Sequence, residues 1–499
     1  MMSGWLLLLV LGWAVAYSVI YTSSQGNAAA TDSNSLHVLP AYVSKEFTGL
    51  NERVFQLGRR HPIALKAWFT AGSVVAAVLM VGSTLYLIWN VMLLVARRVV
   101  QVDVEAPLSS TSVMIPGVTM PLDAMWYLWI AIFLAASFHE FGHALAAALC
   151  EIRMLSVGIF FAVVFPGAYV RFDSYCNIGV MDQIKIQSAG IWHNAVLALI
   201  CMLQLMLLPS LLSPWYATHQ GLTVTSMPEF SIFDGLVDIG NVVVSLDHAP
   251  TLTLAAWKSE IATLTGVVDQ PYATWKPVGY CIPSLDLASS TADTSCCHVD
   301  NDNTDSALQC FAHGGQSNNE LDPSKKLVCL DGNQVGGVST ARCSSDDSCG
   351  SGSEDSNQLP PPYTCVLPKL QDAATLIRIG LRGNVTLMVH GYPPDLHAEL
   401  HLSPYTTTHK SPSSTSLSTT VWLSLPTWIE RFWQFVGNVS GTLGLFNALP
   451  IHHLDGSHLC ASYLQLVVAD EATRGQVLKI VLTIGDALLV AVGVLSMWP

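Results

Sequence analysis

The sequence predicts a polytopic α-helical membrane protein with about six apolar segments, a membrane-associated β-hairpin and an inserted polar, β-rich region that carries most of the cysteines. Three observations lead there. Hydrophobic residues make up 51% of the 499-residue chain and charged ones only 12%, with a mean hydropathy of +0.44. Long apolar runs recur along it. Of twelve cysteines, eight fall between Cys281 and Cys365.

A spanning helix needs about 20 mostly apolar residues. Five runs meet that requirement: Gly4 to Tyr21, Ala67 to Ala96, Met125 to Cys150, Ala189 to Leu212 and Val477 to Trp498. A sixth, Phe432 to Leu449, is broken by Gly437, Asn438, Ser440, Gly441, Gly444 and Asn447, and is expected to be buried in protein rather than to face lipid. The first run has no basic flank before it, which favours a retained anchor over a removed signal peptide. These runs divide the chain into an anchor and polar loop (1–66), a membrane core (67–212), a polar region (213–426) and a C-terminal membrane core (427–499). The basic pair Arg97-Arg98 favours the cytosolic side for its end of the second run.

Between the third and fourth runs, Met154 to Arg171 is rich in Val, Phe and Gly and interrupted by Pro166-Gly167, the pattern of a strand hairpin. Strand-like backbone at membrane depth is tolerated only where protein or a wet cavity covers it. In the polar region, Leu222 to Val224 and Val242 to Leu246 alternate around the turn signals Asp234-Gly235 and Asp247-His248, and strand-like runs return at Thr375 to Ile379 and Val385 to Val389. The segment from about Asp286 to Pro362 has little apolar periodicity and is expected to be a disulfide-tied or disordered insertion. His401 to Thr420 has the Ser/Thr content of a linker.

The cysteine cluster points to disulfides in an oxidising lumen. A second structural metal site is the alternative, against which stands the absence of any C-x-x-C pair. A glycosylation sequon, Asn384-Val385-Thr386, lies in the same region. The net charge of −14 and the lack of a basic run argue against nucleic acid as a direct partner.

The chemistry is carried by His139-Glu140-Phe141-Gly142-His143, an H-E-x-x-H motif inside the third apolar run. Four residues apart on a helix, His139 and His143 share a face and can hold one metal ion. Glu140 borders that face and can take a proton from an attacking water without being a ligand. Charged groups in mid-span each cost about 2.5 to 3.5 kcal/mol on insertion scales, so they are usually paired and functional. A catalytic site of this type needs a third protein ligand. Asp455 is the best candidate, with helix capping or a turn before Gly456 an equally good account from spacing alone. Glu151, His452 and His453 are minor alternatives. Asn194 and Asn447, amides in apolar surroundings, either bind substrate backbone and steady the site or link helices.

These residues resemble the site-2 protease family of intramembrane metalloproteases, through the H-E-x-x-H motif and through Asn447-x-x-Pro450 followed by Leu454-Asp455-Gly456. Phe165-Pro166-Gly167-Ala168, and Ala189-Gly190 with Trp192-His193-Asn194, are similar to segments of the family's eukaryotic members. The resemblance implies Zn²⁺ held by His139, His143 and Asp455, Glu140 as general base, and a PDZ-like lumenal domain whose first half is Gly221 to Pro250. It further implies a cysteine-rich insertion, residence in the Golgi or endoplasmic reticulum, and substrates that are membrane-anchored proteins, single-span transcription factor precursors already cut once on the lumenal side. A substrate helix would unwind and lie along the Met154 to Arg171 hairpin as an added strand. His452-His453 depart from the small or apolar residues expected there. Two other classes compete: a transporter or channel with the His and Asp groups on an ion path, and a silent scaffold whose metal site is closed by a fourth ligand such as His453.

Overall fold

The computed structural model describes residues 36–39, 41–100, 124–173, 178–228, 231–268, 279–284, 308–313, 326–343, 349, 363–368, 375–391, 393–408 and 417–497. The apolar run at Gly4 to Tyr21, and with it the choice between anchor and signal, lies outside these residues. The chain order is β1 (Leu36–Leu39), β2 (Tyr42–Phe47), α1 (Asn51–Arg60), α2 (Pro62–Val100), α3 (Met125–Leu149), β3 (Met154–Ala162), β4 (Phe165–Phe172) and α4 (Val180–Leu212). Then follow β5 (Tyr216–Ser226), β6 (Val242–Leu246), β7 (Ala249–Pro250), α5 (Leu254–Val268), β8 (Gly279–Pro283), β9 (Leu308–His313), β10 (Lys326–Asp331), β11 (Arg342–Cys343) and β12 (Tyr363–Pro368). The last elements are β13 (Thr375–Leu381), β14 (Val385–Gly391), β15 (His401–Thr407), α6 (Leu417–Ala448), α7 (Asp455–Val467) and α8 (Glu471–Met497). Two compact units result: Met1–Met206 with Glu430–Pro499, and Leu207–Ile429.

In the first unit, four helices among the described residues are long and apolar enough to cross a membrane: Pro62–Ala96 of α2, α3, α4, and Glu471–Leu495 of α8. Proline opens α2, where the N–H it lacks has no partner in a first turn anyway. The helices pack through small residues. A Cβ on Gly58 of α1 would meet Ala148 of α3, and one on Gly72 of α2 would meet Trp192 of α4. On α6, Gly437, Gly441 and Gly444 fall on one face and abut Cys201, Ala198 and Asn194 of α4, the small-residue contact by which helices approach closely in lipid. Phe446 on the opposite side of α6 and Leu445 on its flank are exposed, so the sixth apolar run is only partly buried.

The expected hairpin is present as β3 and β4, but it turns at Val163-Val164. Pro166 and Gly167 sit inside β4, where Gly167 leaves room for the Phe160 ring across the pair. Val163 takes φ +55°, uncommon for a β-branched residue, and its N–H donates to Ala41 O at 2.7 Å. That bond ties it to a second hairpin that the sequence reading missed. Thr22 to Lys66 is not simply a polar loop: β1 and β2 extend the sheet in the order β1-β2-β3-β4, and α1 follows. Glu46 of β2 accepts from Arg171 at 3.0 Å and Tyr169 at 3.1 Å of β4, closing the sheet's polar side.

The second unit holds two antiparallel sheets. One runs β14-β13-β6-β5-β15 with β7 on β6, and its core joins Leu222, Val224, Phe233, Ile377 and Ile379 to Trp257 of α5. Strand β15 occupies the start of the segment expected as a linker; it pairs with β5 over its whole length. The other sheet, β10-β9-β12-β8-β11, lies within the cysteine-rich segment and gives strand order where the sequence showed little periodicity. Disulfides hold it: Cys281 to Cys349 and Cys343 to Cys365, with Cys310 and Cys329 also bonded.

A polar cluster joins the two sheets. Arg342 Nε donates to Asp247 Oδ2 at 2.6 Å, and the buried Tyr280 hydroxyl donates to Leu376 O at 2.8 Å. Burial pushes the Asp247 carboxyl up, but the hydrogen bond with His248 and the Arg342 guanidinium outweigh it and hold it below the usual carboxylate range. Such a group stabilises the fold above its unfolded pKa of about 3.9, and the contribution is lost as pH falls through the lower folded value. Arg342→Ala, which removes the guanidinium and leaves Asp247 only His248 and the Tyr280 hydroxyl at 3.2 Å, is expected to destabilise this unit by roughly 1.5 to 3 kcal/mol at neutral pH. Hydrogen exchange of the detergent-solubilised full chain should show β6, β8 and β13 opening faster; unchanged protection there would contradict the assignment.

Candidate metal centre

The motif falls in the second half of α3, where helical periodicity puts His139 and His143 one turn apart on a buried face. His139 Nε2 and His143 Nε2 are 3.1 Å apart. Asp455 arrives from more than three hundred residues away. Its Oδ2 lies 2.8 Å from His139 Nε2 and 3.3 Å from His143 Nε2. Asp455 is the first residue of α7; the preceding Leu454 is in extended conformation, and no side chain caps the helix. The carboxylate is therefore spent on the histidines and not on a cap. A close chain path makes this possible, because a Cβ on Gly456 would strike Ala448 O at 2.6 Å and Leu449 O.

Neighbouring groups fix how each ring presents its nitrogens. His143 Nδ1–H donates to Ile186 O of α4 at 2.7 Å, which leaves a lone pair on Nε2. The amide nitrogen of Asn194 lies 3.0 Å from His139 Nδ1, and its oxygen accepts from Ser440 Oγ at 3.2 Å. In that arrangement Asn194 donates to Nδ1, and the His139 proton is on Nε2, directed at Asp455. A half-turn of the carboxamide reverses the roles: Nδ1–H donates to the Asn194 oxygen, and Nε2 is freed as a ligand. Ser440 accommodates the turn, since its hydroxyl can keep its 3.0 Å bond to Asn194 O while accepting from the amide.

Gly190 of α4 faces the histidine donors. A Cβ there would fall against Nε2 of both histidines, so only glycine leaves the space between the rings and α4 open. Gly142 plays the matching part on α3, with His193 Nδ1 at 2.6 Å and Ala189 O at 2.7 Å from the position of its absent Cβ. His193 itself donates to Ala189 O at 2.9 Å and stacks on Phe69, outside the cluster.

Glu140 lies beside this group, with Oε2 accepting from Val170 N–H at 3.1 Å. Val170 belongs to β4, an edge strand, and this N–H points away from β3 and toward the motif helix. The Asp455 side chain keeps 26% of its surface accessible while those of His139 and His143 keep 7% and 10%, so the cluster is most open on the aspartate side.

Two imidazoles and one carboxylate within 4.8 Å of one another, without a fourth protein donor among the described residues, fit a divalent ion that takes nitrogen and oxygen donors and keeps a position open. The minor candidates stand elsewhere. Glu151 is exposed and pairs with Arg59 at 3.6 Å. His452 is exposed, its Nδ1 lying 2.6 Å from Asp486 Oδ2, and His453 is an exposed turn residue with φ +70°. Neither histidine joins the cluster, so His453 does not close it. Asn447 is half-buried near the end of α6 and makes no hydrogen bond to the three donors. The reading from sequence did not single out Gly190, Ser440 or the Ile186 carbonyl as parts of the site; the small residue in an apolar run and the hydroxyl in a glycine-rich one were the available signals.

The family model for peptidase family M50 matches residues 127–492, which include both halves of this cluster. The chain belongs to peptidase family M50. It is also 30% identical over 463 residues to the membrane-bound transcription factor site-2 protease homolog of Arabidopsis thaliana, covering 85% of each chain. As an M50 member with membrane-spanning helices, it is a membrane metalloprotease. The transport and scaffold readings lose their ground here.

Proposed function

We propose that this protein is an intramembrane zinc metalloprotease that cuts membrane-anchored proteins in or beside their spanning segments, with His139, His143 and Asp455 as ligands and Glu140 as general base. The observation that carries the reading is the convergence of His139 Nε2 and His143 Nε2, on the apolar helix α3 that is long enough to span, with Asp455 Oδ2 at the start of α7. Two histidines and a carboxylate also suit non-haem iron. The H-E-x-x-H spacing on one helix with a carboxylate base and the family membership favour zinc.

When bound, the ion supplies Lewis acidity toward water and toward a peptide carbonyl. Glu140 takes a proton from the attacking water and delivers it to the leaving amine. Its bond to Val170 keeps the carboxylate aimed across the gap between α3 and β4. A helical substrate hides its peptide bonds, so the segment to be cut must be extended; an extended segment finds donors and acceptors along β4. It would compete with Glu140 for Val170 N–H, so seating the substrate releases the base at the place where it is needed.

The name of the Arabidopsis relative, the disulfide-tied sheet and the antiparallel sheet with α5 support a finer reading: a PDZ-like lumenal domain with a cysteine-rich insertion, transcription factor precursors as substrates of a second cut, and a Golgi or endoplasmic reticulum address. Metal analysis of the purified wild type beside Asp455→Ala tests the core of it. One zinc per chain is expected in the wild type and a large loss in the variant, with cleavage of a single-span reporter lost in parallel. A variant that retains both zinc and cleavage refutes Asp455 as ligand.

A further inference from the structure

The chain carries two Asn-x-Ser/Thr sequons, Asn384-Val385-Thr386 and Asn438-Val439-Ser440, and the fold treats them differently. Asn384 closes the three-residue turn Arg382-Gly383-Asn384 between β13 and β14, whose register pairs Leu381 with Val385. Arg382, Gly383, Asn384 and Val385 are all exposed. Asn438 lies in the interior of α6, and its partner Ser440 is fully buried and hydrogen-bonded to Asn194. Asn384 has φ +60°, and asparagine suits a left-handed turn position for that reason alone. That account asks nothing of the residue two places on, where Thr386 supplies the hydroxyl a sequon needs.

Membrane sidedness follows from the packing of the first unit. Gly58 meets Ala148, and Lys66, Cys150 and Lys185 line one pocket, so the start of α2, the end of α3 and the start of α4 share one end of the helix bundle. Arg53, Arg59, Arg60, Lys66 and Arg153 gather at that end. The other end has Arg98, which donates to Leu495 O at 3.4 Å. The larger basic group marks the cytosolic end, and the chain leaves for residues 213–416 at the opposite one, the end of α4. Arg97-Arg98 is thus outweighed, contrary to the side it suggested by itself. Disulfides at Cys281–Cys349 and Cys343–Cys365 require the same oxidising side.

We propose that Asn384 is an N-glycosylation site and that Asn438 is not, so that the mature chain carries one N-linked glycan on the β13–β14 turn. The donor is an oligosaccharide linked through pyrophosphate to a polyisoprenoid lipid. The Asn384 amide nitrogen forms a bond to the first sugar carbon, the bond from that carbon to the pyrophosphate oxygen breaks, the lipid pyrophosphate leaves, and the amide gives up one proton. No oxidant or reductant takes part. The glycan covers the turn and the exposed Val385 beside it, on the β14 edge of the sheet.

The test is the electrophoretic mobility of the full chain, expressed in a eukaryotic secretory host, before and after peptide N-glycosidase. The wild type is expected to shift by the step of one glycan. Asn384→Gln and Thr386→Ala should both run at the deglycosylated position, Thr386→Ser should recover the shift, and Asn438→Gln should behave as wild type. Thr386→Ala keeps the turn asparagine, so a folding defect from replacing Asn384 cannot account for both losses. A wild type that does not shift, or a shift that survives in Asn384→Gln, overturns the proposal. Neither result bears on the metal centre.

Discussion

Replacing Glu140 by Gln should leave zinc content unchanged and lower cleavage of a single-span reporter by about 10²- to 10⁴-fold, the range a general acid–base group contributes. The substitution is nearly isosteric. Its amide oxygen can still accept from Val170 N–H, the 3.1 Å bond that Glu140 makes now, so the contact between α3 and β4 survives. What is lost is a group that can take a proton. Glu140→Ala removes the Val170 contact as well, and hydrogen exchange at β4 should rise in that variant but not in Glu140→Gln. Cleavage retained at wild-type rate in Glu140→Gln would remove this carboxylate from the chemistry. Loss of zinc in the same variant would instead make Glu140 a ligand, which its position off the three-donor cluster argues against.

How much of this was legible follows from how far each contact reaches along the chain. His139, Glu140 and His143 were visible because a helix turn is a local property and charged groups are rare in an apolar run. Asp455 is 312 positions from His143, and spacing alone left it as a ligand or a cap; the resemblance, not the local pattern, favoured it. His452 was ambiguous for a like reason, since its partner Asp486 stands 34 residues further on. Strands β1 and β2 are short and of mixed polarity; they pair with each other, but the hairpin is held in the sheet by β2 pairing with the distant β3, which no local window contains. The cysteine-rich sheet buries Tyr280, Ile282, Phe311, Val328 and Val366 from short strands separated by long polar segments, and crosslinks and the Asp247–Arg342 contact add to that core, so no long apolar alternation marks it in the sequence. The spanning helices needed none of this, because length and hydropathy are read from consecutive residues.

Gly190→Ala is expected to empty the metal site with every ligand residue unchanged. The added Cβ would fall against Nε2 of His139 and of His143, and the glycine sits on α4 between Ala189 and Ile191, both fully buried, so the backbone has no room to withdraw. Changing groups that only orient ligands typically lowers metal affinity by about 10- to 100-fold, and Asn194→Ala, which frees His139 Nδ1, should fall in that range. A methyl group against the donor atoms acts on both rings at once, and its effect should exceed about 100-fold, read as zinc retained against a graded chelator. Gly142→Ala separates this from general damage to packing. Its Cβ would strike His193 and Ala189 O, pushing α3 from α4 but pointing at neither Nε2. If Gly190→Ala held zinc as tightly as the wild type, the ion could not lie between these two rings.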